Sequence, residues 1–386
     1  MSVAVRFSVK ELKEYEPGKS VKGAVKLSSN ENPLGPSPKA LRAVLESVSG
    51  EEGELNLSVY PAERDEDELR DEILKYLSGS VRKENVVLGA GVDGVLETLA
   101  KIFIEPGDEA VIPVPTFSLY ESVVKIAGGV PRFVERERER ERERGSDFSV
   151  PVEDLISACS EKTRLIFLAS PNNPTGNCTP EQEVREILDA VPPTAVVVLD
   201  EAYAEFAGEE AGAAAGVEAG SSLLGLVKEH ENAVVLRTFS KAFGLAGLRV
   251  GYGVVPEWLA SPYKKVAMPF SVNCLALKAA VAALHDTEHL RKTVALVREE
   301  RAFLTENLQR LEGFRVFPSQ ANFVLLDVSP RKSAEVCELL LKNGVVVRDC
   351  SSFRAAGDSL VRISVGTREQ NEKVVEVLRE ERKNES

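Results

Sequence analysis

Short apolar runs alternate along the chain with longer stretches of helical spacing. The runs at 85–88, 109–114, 164–169, 195–199, 233–236 and 250–254 are rich in Val, Ile and Leu. Runs of this length without polar alternation read as strands buried on both faces. Helical patterns between several of them predict an α/β domain on a mostly parallel sheet. Thr179-Pro180-Glu181-Gln182 puts Thr at an N-cap, Pro at N1 and Gln at N3, a capping-box pattern. Thr367 and Gln370 repeat the spacing ahead of Val374, Val375 and Leu378. Beyond residue 290 the alternation becomes less regular. A charged helix over 291–311, strands near 323–326, 345–347 and 361–364, and a last helix predict a second, smaller α+β domain. The first ~45 residues show no repeated βα unit and are expected to pack on that second domain.

Composition narrows the picture. At 386 residues the chain is long enough for two or three domains and a large core, without help from disulfides or a structural metal. Its 48 basic and 61 acidic residues give a net charge of −13, which argues against a general nucleic-acid partner. No apolar run approaches the ~20 residues of a membrane span. Met1 to Lys10 shows no apolar secretion signal. Cys159, Cys178, Cys274, Cys337 and Cys350 form no CxxC pair and are odd in number, which fits free thiols in the cytoplasm.

Residues 135–144 repeat Glu-Arg. A helix would set like charges at i,i+4, and a strand would make one face Glu and the other Arg. Neither suits a core, so a solvated strand extension or loop is expected. His285 and His289 have metal-pair spacing if they share a helix, but no third ligand lies nearby, so a solvent-exposed helix end is expected and no metal site.

Four stretches carry candidate chemistry. Residues 89–94 read Gly-Ala-Gly-Val-Asp-Gly, a GxGxxG between a predicted strand and helix. A dinucleotide fold also needs an acidic residue closing the next strand, where this chain has Pro113 and Pro115. What survives is a tight turn whose helix-end amides can hold a phosphate. Residues 170–176, Ser-Pro-Asn-Asn-Pro-Thr-Gly, fix a loop at a strand's carboxyl end, where α/β sheets place ligands. Asp200-Glu201-Ala202-Tyr203 ends another strand, so a partly desolvated Asp200 is expected either to have a cationic partner or to have a raised pKa. Residues 238–249 set Thr238, Ser240, Lys241 and Arg249 around a Gly-rich turn. This layout can hold a phosphate and leave a desolvated amine to attack a carbonyl.

Together these motifs resemble fold-type-I pyridoxal-5′-phosphate (PLP) enzymes of the aspartate aminotransferase superfamily. More narrowly the chain is similar to the class II, histidinol-phosphate aminotransferase subfamily. The resemblance also covers 27–36, Tyr60-Pro61, 115–120, 269–273, 347–349, 361–363 and 366–368. It implies a large PLP domain over 46–268 with a mixed, mostly parallel sheet. A small domain combines 1–45 with 269–386. Lys241 is implied to form the Schiff base and then shuttle the proton between Cα and C4′. Asp200 would pair with the protonated pyridine nitrogen and keep the ring an electron sink. Asn173 and Tyr203 would bond the ring's phenolic oxygen, and Phe117 would stack on the ring. The phosphate would sit on the amides of Val92 and Asp93, with Thr238, Ser240 and Arg249. Tyr60 would reach that phosphate from a second subunit, which implies a homodimer. Gly94 stands where relatives commonly carry an acidic residue.

The implied reaction moves an amino group from L-histidinol phosphate to 2-oxoglutarate in histidine biosynthesis, giving imidazole-acetol phosphate and glutamate. One site must then take a phosphate and a dicarboxylate in turn, and Arg binds either anion bidentately. Arg362 matches the superfamily's carboxylate arginine. Arg348 and Tyr15 match positions that contact the substrate phosphate, and Asn32 is expected to touch substrate. The alternatives are an aromatic amino-acid aminotransferase, a threonine-phosphate decarboxylase of the same fold, and, from a different class, an NAD-dependent dehydrogenase.

Overall fold

In the computed structural model, residues 5–10, 12, 14, 18–49, 57–79, 81–137, 148–207 and 222–385 are described. The strands in chain order are β1 (Val25–Lys26), β2 (Val86–Gly89), β3 (Glu109–Val114), β4 (Val130–Glu135), β5 (Thr163–Ala169), β6 (Val196–Asp200), β7 (Ala233–Thr238), β8 (Gly251–Val254), β9 (Arg315–Phe317), β10 (Phe323–Asp327), β11 (Val345–Val346), β12 (Arg348–Asp349) and β13 (Leu360–Ser364).

Strands β2 to β8 form one sheet in the order β2-β8-β7-β6-β5-β3-β4. The expected α/β architecture with a mostly parallel mixed sheet is present: every neighbouring pair is parallel except those made by β8. The unbroken apolar runs have a direct cause. Along β5 and β6, alternate residues enter different cores: Ile166, Leu168, Val197 and Leu199 one, and Leu165, Phe167, Val196 and Val198 the other. Both faces are covered, so neither can be polar.

Four strands, β1, β4, β9 and β12, go beyond what the sequence pattern predicts. β4 is an edge strand, paired only with β3, and its half-exposed pattern includes Pro131 and Arg132. β9 is short and sits at the edge of the second sheet, which runs β12-β13-β10-β9 and is antiparallel throughout. β1 pairs with β11, and Ser364 N donates to Leu27 O at 2.9 Å, so the amino-terminal segment is stitched to the carboxyl-terminal part of the chain. The helix Pro38–Ser49 runs through residues 45 and 46. The expected boundary there therefore falls inside an element.

Several local expectations change. The helix Glu181–Ala190 begins after Pro180, so Thr179 is not its cap, and the buried Thr179 Oγ1 makes no hydrogen bond. At the last helix half of the box forms: Gln370 Oε1 accepts from Thr367 N at 3.0 Å. His285 and His289 lie on either side of a helix break at Asp286. His285 is exposed against Glu72, whereas His289 is half-buried against Gly35 O. Among the described residues no group of side chains could hold a metal, and no helix is long and apolar enough to cross a membrane. The five cysteines are unpaired.

The Glu-Arg tract departs from its solvated expectation where it is described. Glu135 ends β4 and is exposed, but Arg136 is 5% exposed. Its backbone N–H continues the β3 ladder to Val114 O, which turns the side chain inward. There Nη1 donates to Phe148 O at 3.1 Å, while Nε and Nη2 have no partner. Burial lowers its pKa to about 10. Residues 138–144 lie outside the described residues.

Candidate active site

The loops leaving the carboxyl ends of β3, β5, β6 and β7 meet at one edge of the large sheet, where open α/β sheets bind ligands. They enclose a cavity of about 340 Å³. Val92, Asp93, Phe117, Asn173, Asp200, Tyr203, Thr238, Ser240, Lys241, Arg249, Arg348 and Arg362 all line it. Residues from widely separated sequence motifs are thereby brought together. Because β8 runs antiparallel, Arg249, just before it, also arrives at this edge.

One end of the cavity is built for an anion. The helix Gly91–Phe103 starts there, so its first amides point outward without intrahelical acceptors. Gly91 has φ 73°, and a Cβ on it would lie 2.6 Å from Arg249 Nη2. That left-handed φ favours a glycine, and without a Cβ the guanidinium can lie against this helix end. Arg249, itself at φ 57°, donates to Asp93 Oδ2 at 2.8 Å, and its Nη1 lies 3.5 Å from Ser240 Oγ. Ser240 N donates to Thr238 Oγ1 at 3.0 Å, which fixes the turn.

The charged groups deeper in are desolvated. Asp200 is 6% exposed and accepts from Tyr120 Oη at 2.7 Å and Ala202 N at 3.0 Å. Burial raises its pKa to about 6 against the lowering effect of those two bonds. No cationic side chain among the described residues hydrogen-bonds to it. Lys241 Nζ donates to Ser29 O at 3.1 Å. Burial first, and the Arg362 charge second, lower its pKa to about 8, so the amine is readily available as a nucleophile. Arg362 donates from Nη1 to Asn173 Oδ1 and from Nη2 to Ser28 O at 2.7 Å. Arg348 donates to Ser352 Oγ at 3.1 Å and lies 5.5 Å from the centre of the Phe353 ring.

A helix-end anion cradle, a buried carboxylate with no hydrogen-bonded cation among the described residues and a desolvated amine, all lining one cavity, fit PLP: a phosphate, a pyridinium and an aldehyde carbon. The glycine-rich turn at 89–94 serves this cradle.

Among the expected residues, Asn32 does not line the cavity, and Tyr60, expected to act from a second subunit, lies on the surface of this one. Asn32 Nδ2 donates to Ala242 O at 2.9 Å and its Oδ1 accepts from Leu34 N. Tyr60 is 74% exposed and stacked on Phe270, ring centres 4.5 Å apart. Tyr15 lies outside the described residues. Sequence reasoning gave no role to Tyr120, Phe353 or Asn30, which also line the cavity. Asn30 sits in the quoted 27–36 motif, but nothing in composition or spacing separates it from Asn32.

Fold and cavity together define a PLP-type aminotransferase, and comparison agrees: residues 22–378 match the model of the aminotransferase class I and II family. A histidinol-phosphate aminotransferase of Methanosarcina mazei is 46% identical over 96% of this chain and 95% of that protein. Within the class I and II family, the chain belongs to the histidinol-phosphate aminotransferases. Among solved structures, the histidinol-phosphate aminotransferase of Sinorhizobium meliloti, in complex with pyridoxal-5′-phosphate, superposes with a TM-score of 0.83 at 25% identity and covers both chains fully. That of Clostridium acetobutylicum gives 0.80 at 27% identity, over 93% of this chain and 99% of that one.

Proposed function

We propose that this protein uses PLP to transfer the amino group of L-histidinol phosphate to 2-oxoglutarate, yielding imidazole-acetol phosphate and L-glutamate for histidine biosynthesis. The observation that carries the reading is the pair of guanidinium groups, Arg348 and Arg362, lining the same cavity as Lys241. Two forks in one cavity suit a phosphate monoester in one half-reaction and a dicarboxylate in the other.

When bound, the cofactor supplies an electron sink for the carbanion at the substrate's Cα. Lys241 would hold the cofactor's aldehyde carbon, and its amine would move the proton between the substrate's Cα and C4′. Asp200 pairs with the pyridinium nitrogen, each ion relieving the other's desolvation. Asn173 and Tyr203 hydrogen-bond the ring's phenolic oxygen, and Phe117 covers the ring face. Val92 and Asp93 amides, Thr238, Ser240 and Arg249 hold the phosphate. Arg348, with Tyr15, takes the substrate phosphate, and Arg362 takes carboxylate.

The organisation that goes with this is a large PLP domain over 46–268 and a small domain from 1–45 and 269–386. The acting form is a cytoplasmic homodimer in which Tyr60 completes the partner's phosphate cradle. Tyr60 is exposed beside other exposed apolar side chains, Leu57, Val59, Met268 and Phe270, as such a contact requires.

A paired assay tests the substrate. The PLP-loaded protein is given histidinol phosphate or phenylalanine as donor to 2-oxoglutarate. Histidinol phosphate is expected to turn over with the much higher kcat/KM; equal or faster phenylalanine turnover makes the protein an aromatic aminotransferase.

A further inference from the structure

Asn30 is 1% exposed and has φ 54°, in the left-handed region that most side chains avoid. Its hydrogen bonds explain why it is held there. Asn30 N donates to Ser364 Oγ at 2.8 Å, and Ser364 Oγ donates to Asn30 Oδ1 at 3.0 Å. Asn322 Nδ2 donates to Asn30 O at 3.0 Å. Asn30 Nδ2 donates to Tyr203 Oη at 3.0 Å.

The direction of this chain is fixed by counting protons. A hydroxyl carries one proton, and Ser364 Oγ already accepts from a backbone N–H. Its own proton goes to Asn30 Oδ1, which identifies the oxygen end of that amide. Turned the other way, the amide would face the buried Ser364 hydroxyl with its NH2, and the hydroxyl proton would lose its acceptor. The NH2 group therefore faces Tyr203. Tyr203 Oη accepts this hydrogen bond, so its own proton is directed to an acceptor other than Asn30.

We infer that Asn30, oriented by Ser364, is a positioning residue that sets the polarity of the Tyr203 hydroxyl, forcing it to donate into the cavity. The inference rests on the reading that Tyr203 faces the cofactor's phenolic oxygen. Donation keeps that oxygen in its phenolate form. Asn30 also ties the small sheet, through Ser364 on β13, to a group of the large one. The Tyr203 polarity therefore depends on both parts of the chain being in register.

The test uses the PLP-loaded protein and follows the visible absorption of the lysine-bound cofactor against pH. Asn30→Asp keeps the shape and tolerates the left-handed backbone, but an ionised carboxylate only accepts. It draws the Tyr203 proton away from the cavity. The midpoint is expected to rise by about one pH unit, a roughly tenfold change in the titration constant, because the phenolate loses a donor. Asn30→Gly, which keeps the backbone and removes the side chain, is expected to shift the midpoint less. Tyr203→Phe is expected to match Asn30→Asp, and the double variant to add nothing to Tyr203→Phe. A midpoint unmoved by Asn30→Asp while Tyr203→Phe shifts it overturns the inference and leaves the Tyr203 reading standing. Additive shifts in the double variant also overturn it, since the introduced carboxylate would then act by its charge alone. If neither variant moves the midpoint, Tyr203 does not face the ring oxygen and both readings fall.

Discussion

Asp200 illustrates at residue scale how a functional group opposes the fold that holds it. In the cofactor-free chain its pKa is raised to about 6 from 3.8 by burial. The folded state thus binds this proton more tightly than the unfolded chain. The protonated carboxyl favours folding below pH 3.8, and that contribution is lost as pH rises through 6. Asp200→Asn removes the loss. Thermal melts of the cofactor-free variant at pH 7 should lie above the parent's, by at most roughly 3 kcal/mol, and the gap should close towards pH 4. The same variant should be nearly inactive. A variant less stable than its parent at pH 7 would show that the bonds from Tyr120 and Ala202 matter more than desolvation. Much of this is readable in the sequence: a carboxylate behind four apolar residues announces its own burial. Asn30 is not, because its role depends on a left-handed backbone and on Ser364, far away in sequence.

Single elements show the same division between what pattern reveals and what partners decide. β5, β6 and β7 stand out as continuous apolar runs because both faces are covered. Among the described strands β4 and β9 lie at the ends of their sheets, and their mixed polarity hides them. Arg136 defies its pattern for a related reason: alternating charge says nothing about which face of an edge strand is roofed. β6 and β7 are also joined beyond their ladder. Arg237, at 2% exposure on β7, donates from Nε and Nη2 to Oε2 of Glu201, which follows β6, at 3.0 and 2.8 Å. Glu205 Oε1 also lies 3.7 Å from Arg237 Nη1, so removing the arginine leaves two buried carboxylates uncompensated, of which Glu201 is the nearer. Arg237→Met should therefore lose about 3–5 kcal/mol in denaturant unfolding, with Glu201→Gln added to it recovering at least half. A loss under about 1 kcal/mol would mean that solvent reaches the pair.

At the scale of the whole molecule, the helix Pro38–Ser49 exposes Leu41, Leu45 and Val48, which share one face by their spacing. In the proposed homodimer this face is covered. Leu45→Glu is expected to shift sedimentation towards the monomer and to reduce activity by more than tenfold at low protein concentration, although the residue lies outside the cavity. A dimer unchanged by the substitution would place the contact elsewhere. The pairing of β1 with β11 also governs the order in which the molecule can be made. Residues 25–30 leave the ribosome well before their partners at 345–364, which follow about 320 residues later in the chain. At about 5–20 residues per second the amino-terminal strand waits on the order of tens of seconds for its neighbours. The large sheet can form in that interval, but the wall that carries Asn30, Arg348 and Arg362 cannot. A nascent chain stalled after β8 would hold Lys241, Asp200 and the anion cradle, and would lack the arginines proposed to select the substrate.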